Sequence, residues 1–337
     1  MSGWRQRLEA IILTAWYEGS PWLWCLWPLS ILVRGVAWRR RAGLTRALPL
    51  RAPVIIVGGV TVGGTGKTPV VIALVESLRA RGFTIGVVSR GYLSSVGEGP
   101  LRVEARSTAS AVGDEPLLIA LRTQVPVVVG RNRWQAAKRL LDTTDVNVVI
   151  SDDGLQHYAL PRDFEIAVLD AHRGVGNGRV LPMGPLREPP ERLSTVDWVL
   201  ERNGTDPDTG FHYQQHHLLH WQTRRVMEFS PAKAEWQTMQ LAAVTALGQP
   251  EQFFAGLASL ELDFERYSFP DHHPLSKQDL DAIAADIIII TEKDAVKIDA
   301  FDDPRIWVLV ISAKLPEALI EYLAQGLNDE GESRCTT

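Results

Sequence analysis

The run Thr61-Val62-Gly63-Gly64-Thr65-Gly66-Lys67-Thr68 has the residue types and order of a phosphate-binding loop. Glycines let consecutive backbone N–H groups turn inward around phosphate oxygens, the lysine reaches the β- and γ-phosphates, and the hydroxyl after it can ligate Mg2+. The first position of the usual G-x-x-x-x-G-K-[ST] pattern is Thr61 here, while Gly63, Gly64 and Gly66 keep the flexibility the turn requires. The whole run from Thr61 to Thr68 is therefore the expected nucleotide cradle. Asp152-Asp153-Gly154 supplies the acids such a site needs, directly after the apolar run Val146 to Ser151. Two adjacent carboxylates repel each other unless a cation or donors compensate, so Thr68, Asp152 and Asp153 are the expected Mg2+ residues. They are expected to point to different sides, which leaves open which of the two acids ligates directly. Guanine recognition usually asks for N-K-x-D after a later strand. The nearest match, Thr291-Glu292-Lys293-Asp294, has its lysine one place too late, so the expected nucleotide is ATP.

These loops need strands ending beside them. Pro53 to Val57 reads as a buried parallel strand, Pro69 to Arg81 as a helix stopped by Gly82, and Thr84 to Ser89 as a second strand. Further strands are expected at Val125–Val129, Val146–Ile150, Phe164–Leu169 and Val196–Leu200, with a helix over Trp134–Leu141. Alternating strands and helices predict a doubly wound parallel α/β sheet of the P-loop NTPase type. From about Thr205 the chain turns polar and irregular, and His212, His216, His217 and His220 crowd together. Their spacing resembles a metal site, but no nearby Cys or ordered acid supports one. The α/β rhythm resumes at Leu241–Thr245, Pro250–Leu260, Ile287–Ile290 and Trp307–Ile311. A terminal helix over Glu317–Leu327 follows, then a polar tail expected to fray after Asn328. The expected division is 1–51, 52–225 for the P-loop core and 226–330 for a smaller C-terminal α/β domain.

The composition of the 337 residues, 45% hydrophobic and 22% charged, excludes a disordered or collagen-like chain. Two cysteines, Cys25 and Cys335, exclude a disulfide framework. The net charge of −5 is uneven: residues 1–51 hold eight arginines, no lysine and two glutamates, a net of +6 that leaves −11 for the rest. Six of eleven tryptophans lie in the first 38 residues. The uncharged run between Gly19 and Arg34 has 14 residues, short of the ~20 a membrane-crossing helix needs. A signal peptide is a poor fit as well, because Glu9 and Glu18 precede the apolar run and no small-residue cleavage site precedes Arg39-Arg40-Arg41. Interfacial tryptophans beside an arginine cluster point to a helix lying on an anionic membrane surface, with a Trp-rich helix packed on its own domain as the alternative.

Taken together, TVGGTGKTP at 61–69, VVSRGY at 87–92, GDEP at 113–116, SDDGLQHY at 151–158, LPMGPLREP at 181–189, FPDHH at 269–273 and TEKDAVK at 291–297 resemble the tetraacyldisaccharide 4'-kinase family, the lipid A 4'-kinases of Gram-negative bacteria. The similarity runs over essentially the whole chain, and SDDGLQHY and TEKDAVK are far more specific than the P-loop. The resemblance implies transfer of the γ-phosphate of ATP to the 4'-hydroxyl of an acylated glucosamine disaccharide 1-phosphate held in the bilayer, at the cytoplasmic face of the inner membrane. It implies no nucleic acid and no obligate protein partner. It also makes Asp114 and His272 the catalytic Asp/His pair, with Lys67 beside them, and a separation of 158 residues in sequence then implies that the two domains close over the substrate. Local sequence does not choose between His272 and His273, and Asp114 could instead cap the helix that begins near Pro116.

Arg90, Arg131, Arg133 and Arg187 are candidates for phosphate binding, each equally open to a surface ion pair. His157 could orient a carboxylate or the nucleotide. Glu292, Lys293 and Asp294 could contact nucleotide or form a structural salt-bridge turn. The rival function is a switch ATPase of the partitioning or metallochaperone kind, whose x-G-G-x-G-K-T loop resembles Val62–Thr68. That class often carries a lysine where Val62 stands.

Overall fold

The computed structural model describes residues 3–42, 47–91, 99–271, 273–298 and 303–335. Two helices open the chain, α1 (Gly3–Glu18) and α2 (Trp27–Arg41), joined by a 3-10 turn over Pro21–Leu26. The first α/β half follows with β1 (Val54–Gly58), α3 (Lys67–Ala80), β2 (Ile85–Ser89), β3 (Leu101–Arg102), α4 (Ala109–Val112), α5 (Asp114–Thr123), β4 (Val127–Val129), α6 (Arg133–Thr143), β5 (Val148–Asp152), β6 (Phe164–Asp170) and β7 (Trp198–Arg202). Then come β8 (Gly210–His220), β9 (Val226–Met227), α7 (Phe229–Glu235), β10 (Leu241–Thr245), α8 (Pro250–Ala258) and β11 (Glu265–Ser268). The chain ends with α9 (Lys277–Asp281), β12 (Ile287–Thr291), α10 (Glu292–Ala295), β13 (Ile306–Lys314) and α11 (Glu317–Cys335).

The thirteen strands among the described residues join one sheet in the order β11-β10-β12-β13-β8-β7-β6-β1-β5-β2-β4-β3, with β9 on β8. Pairing is parallel except at β3/β4, β8/β9 and β8/β13. The apolar runs of β1, β2, β4, β5 and β10 are buried at every position, as strands covered on both faces must be. Alternation divides them between two cores. Ile55 and Val57 face the layer of α3, α5 and α11, while Val54 and Ile56 face that of α6. The C-terminal strands are likewise sandwiched between two further clusters.

Two stretches differ from the sequence expectation. The polar run after Thr205 contains an eleven-residue strand, β8, whose side chains alternate in and out. Its histidines and glutamines hide the period because the strand lies between two others and buries polar as well as apolar side chains. Its first residues pair with β7 and the rest run antiparallel to β13, so β8 stitches the two halves together. The terminal helix also continues to Cys335 rather than fraying after Asn328. Its Leu319, Ile320, Leu323 and Leu327 return to the first half and pack in the α3 core.

The N-terminal helices are docked but not covered. Trp16, Leu23 and Met183 form a small core; the Trp16 indole N–H donates to Pro182 O at 3.0 Å, and Ser30 Oγ donates to Val180 O at 2.8 Å. Yet ten of the sixteen exposed large hydrophobic residues among those described lie between Leu8 and Trp38, with Leu32 65% and Trp38 75% exposed. No helix among the described residues is long and apolar enough to cross a membrane.

Packing between β2 and α6 leaves no room at Gly86, where an added Cβ would lie 2.7 Å from Leu140 Cδ2 and 2.9 Å from Val146 Cγ2. Both neighbours are buried. Gly86→Ala is expected to lose ~1–3 kcal/mol through overpacking, read as a lower urea midpoint with an unchanged m-value.

Candidate active site

The loop after β1 takes the form its glycines allow. Gly63 and Gly66 have φ of 100° and 86°, values disfavoured for a side chain with a Cβ, and Gly66 leads directly into α3. The loop is pinned from behind: Val62 N donates to Pro185 O at 2.9 Å, and Thr61 bridges to Leu186. Val62 packs against the Trp16 cluster. Tyr17 of α1 lines the small cleft over the loop, together with Asp170 and Arg173. The N-terminal helices are thus one wall of the phosphate site.

Strand register brings the acids alongside. Val57, one residue before the end of β1, pairs with Asp152 at the end of β5. Asp152 is buried; its Oδ2 accepts from Ser89 Oγ at 3.2 Å and its Oδ1 has no hydrogen-bond partner. Burial, then the charges of Glu115 and Asp153, push its carboxyl well above the usual range. Asp153 has φ of 48° and turns the other way. Its carboxylate meets Arg187 at 2.9 and 3.1 Å and Lys67 at 3.5 Å. Burial would raise it, but those two cations prevail and hold it at about 2. An orphaned, buried carboxylate oxygen next to a P-loop fits a divalent cation, which supplies the missing charge. Asp152 is better placed for this than Asp153, whose charge is already matched.

The other candidates divide. Arg133 is buried and donates to Gly130 O and to Asp152 O, so it braces the acid strand from behind. Burial lowers it to about 10. Arg187 pairs with Asp153, while Arg90 and Arg131 are exposed. His157 is driven down to about 4 by burial and then by Arg133 and Arg90, so it is neutral at pH 7. The four histidines of β8 do not converge: His216 bonds Ser312, His220 bonds Pro304 O, and no group of three or more His, Cys, Asp or Glu among the described residues could hold a metal.

Asp114 opens α5, but the N-cap is Gly113, so the capping reading does not hold. The Asp114 carboxylate accepts from Glu115 N at 3.1 Å and lies 3.7 Å from Lys293 Nζ, a residue of the second half of the sheet. His272 lies outside the described residues. The neighbouring His273 stacks on Phe269 and bonds Asp279 at 3.1 Å.

One cluster was not anticipated from the sequence. Asp170 and Arg202, paired in register on β6 and β7, form a buried ion pair, and Arg202 also donates to Gln252 at 2.7 Å. The Tyr213 ring lies beside Arg202, and its hydroxyl sits where a Cβ on Gly66 would be, 1.9 Å away. Gln249 Nε2 donates to Gly64 O at 3.3 Å. The C-terminal half therefore touches the phosphate loop directly. An acid ending the strand next to β1 was the only sequence signal available for this cluster.

A family profile described as Tetraacyldisaccharide-1-P 4'-kinase (LpxK) matches residues 22–328. The chain belongs to the tetraacyldisaccharide-1-P 4'-kinase family. It is 43% identical to a tetraacyldisaccharide 4'-kinase of Alcanivorax borkumensis over 94% of this chain and 97% of that one. The figure is again 43% for a Pseudomonas putida protein of that name, covering 90% and 91%. The fold is similar to that of Aquifex aeolicus LpxK, solved in complex with ATP: TM-score 0.75, 27% identity, covering 90% of this chain and 99% of that one.

Gly66→Ala is expected to abolish phosphate transfer, since the Cβ would overlap the Tyr213 hydroxyl and the φ would be strained. Adding Tyr213→Phe relieves the overlap but not the strain, so nucleotide affinity should recover only in part, measured by ATP titration of both variants.

Proposed function

We propose that this protein transfers the γ-phosphoryl group of ATP to the 4'-hydroxyl of an acylated glucosamine disaccharide 1-phosphate, giving the 1,4'-bisphosphorylated lipid A precursor. The observation that carries the reading is that one cleft is walled by both a P-loop and helices with an uncovered apolar face: Tyr17 of α1 lies beside Thr61–Thr65. A kinase for a soluble acceptor needs no such wall, whereas an acceptor on acyl chains stays in the bilayer and requires it.

In this reading the loop amides and Lys67 hold the β- and γ-phosphates. Thr68 and Asp152 would hold Mg2+, which supplies positive charge to the phosphate oxygens when bound. Asp153 orients Lys67 and Arg187. Asp114 accepts the proton of the sugar hydroxyl as its oxygen attacks the γ-phosphorus, and ADP leaves on the opposite side. His272 is its partner by family resemblance. The rival switch-ATPase reading requires a lysine free to act across a dimer. Val62 stands at that position and is packed against Trp16, which favours the kinase.

The exposed Trp24, Trp27, Leu32 and Trp38, followed by Arg39, Arg40 and Arg41 at the end of α2, fit a helix pair lying on the anionic cytoplasmic face of the inner membrane. Residues 1–51 would then be the membrane-associating segment, 52–225 the kinase core and 226–330 the smaller domain that brings up the second set of groups.

With MgATP labelled at the γ-position and the acylated disaccharide 1-phosphate in mixed micelles, label should appear on the lipid. Release of phosphate without labelled lipid would favour the ATPase. Asp114→Ala should reduce turnover at least ~100-fold while ATP affinity stays within about threefold, the signature of lost proton transfer. Near-normal turnover would overturn the base assignment.

Leu32→Asp with Trp38→Asp tests the anchor on exposed positions only. Binding to vesicles containing anionic lipid should fall at least ~10-fold in sedimentation with an unchanged unfolding midpoint.

A further inference from the structure

The motif Thr291-Glu292-Lys293-Asp294 lies in the second half of the sheet, yet two of its four side chains reach the first. Asp294 is fully buried and fixes the turn: Oδ2 accepts from Thr245 Oγ1 at 2.8 Å and Thr291 Oγ1 at 2.7 Å, and Oδ1 from Ala246 N at 3.1 Å. Lys297 Nζ lies 2.8 Å from the same carboxylate. Thr291 caps α10 by accepting from Asp294 N. With both ends of the motif held, the middle pair projects onto α5. Glu292 accepts from Arg122 at 2.6 Å, and Lys293 Nζ lies 3.2 Å from Glu115 Oε1 and 3.7 Å from Asp114 Oδ2.

The two contacts have opposite polarity and different neighbourhoods. Arg122–Glu292 sits at the far end of α5, where Glu76 also approaches Arg122 at 3.6 Å. Lys293 lies against Asp114 and Glu115 in the first turn of α5. Glu115 is close enough to Asp152 to act on its charge, and Asp271, the acid of the FPDHH segment, acts on Lys293 itself. Asp114, Glu115 and Asp271 together outweigh the effect of burial and keep Lys293 charged. Without that ammonium, Asp114 and Glu115 would be left beside Asp152, Asp153 and Asp271 with a cation removed from their midst, and α5 would be repelled from the very site it serves.

We propose that Lys293 is a positioning residue for phosphoryl transfer, carried by the C-terminal half and set against Asp114 and Glu115 so that the proton acceptor is aligned only when the two halves of the sheet are together. This rests on the reading of Asp114 as the base. Lys293 does not exchange a proton: the proton passes from the acceptor hydroxyl to Asp114, and Lys293 fixes where that carboxylate stands.

The test uses the full-length enzyme in the micellar label-transfer assay, with kcat and KM for ATP measured separately. Lys293→Met should lower kcat at least 30-fold with KM for ATP within about threefold, and Lys293→Arg should regain most of the loss. Glu292→Gln removes the charge from the adjacent contact with Arg122. It should lower the unfolding midpoint while leaving kcat within about threefold, because it does not face Asp114. In an Asp114→Asn background, Lys293→Met should cost less than about threefold more, since a residue acting through Asp114 has nothing left to position. The proposal is overturned if Lys293→Met keeps kcat within threefold of wild type, or if Glu292→Gln loses as much kcat as Lys293→Met. It is also overturned if the losses of Lys293→Met and Asp114→Asn multiply in full. Normal turnover in Asp114→Asn alone would instead sink the base reading, a separate result visible in the single variant.

Discussion

Burying a carboxylate away from water is unfavourable by several kcal/mol unless charge or hydrogen bonds are returned to it, and the end of β5 buries Asp152 with the half-buried Asp153 directly after it. The surrounding architecture is arranged around that constraint. Lys67 and Arg187 neutralise Asp153, Ser89 donates to one oxygen of Asp152, and the other oxygen is left without a protein donor. Arg133 comes up behind the same strand, spending its donors on backbone carbonyls. A site so assembled has its electrostatic deficit at one atom, where a divalent cation carried in with the triphosphate would meet it.

The strands and helices that carry this arrangement follow directly from the sequence in the first half, because strands covered on both faces must read as unbroken apolar runs. β1, β2 and β5 do so, and glycines at Gly63, Gly66 and Gly82 punctuate them. The P-loop and the acid pair are legible for the same reason: their chemistry is local, contained within eight and three consecutive residues. What was not legible depends on contacts between distant segments. β8 places half-buried Gln215 and His217 and buried His220 between two other strands, so its period of two is invisible to a hydrophobicity reading. Tyr213 approaches Gly66, and Gln249 approaches Gly64, across 147 and 185 residues of chain. Nothing near Tyr213 or Gln249 in sequence announces those neighbours.

The N-terminal helices carry features of both competing sequence readings. Trp16 and Leu23 pack inward, and Ser30 is tied to the backbone of Val180, as a packing helix requires. Trp22, Trp24, Trp27 and Trp38 remain exposed, as an interfacial helix requires. Arg173 lies over the Tyr17 ring and Arg179 over that of Trp24, so the loop that supports the P-loop also holds the helices' aromatic side chains. Composition alone could not separate these patterns because one short segment carries both.

The continuity of the sheet through β8 carries a mechanical consequence. No slack linker joins the halves there: residues 210–211 are hydrogen-bonded in register to β7, while 212–220 are bonded to β13. A relative movement of the halves must therefore be taken up as torsion of a bonded ladder, which resists in proportion to the angle and returns by itself. Were the halves to close on ligands, that ladder would act as a spring. Energy stored on gripping ATP and acceptor would be released on departure of products, and reopening would require no further chemical step.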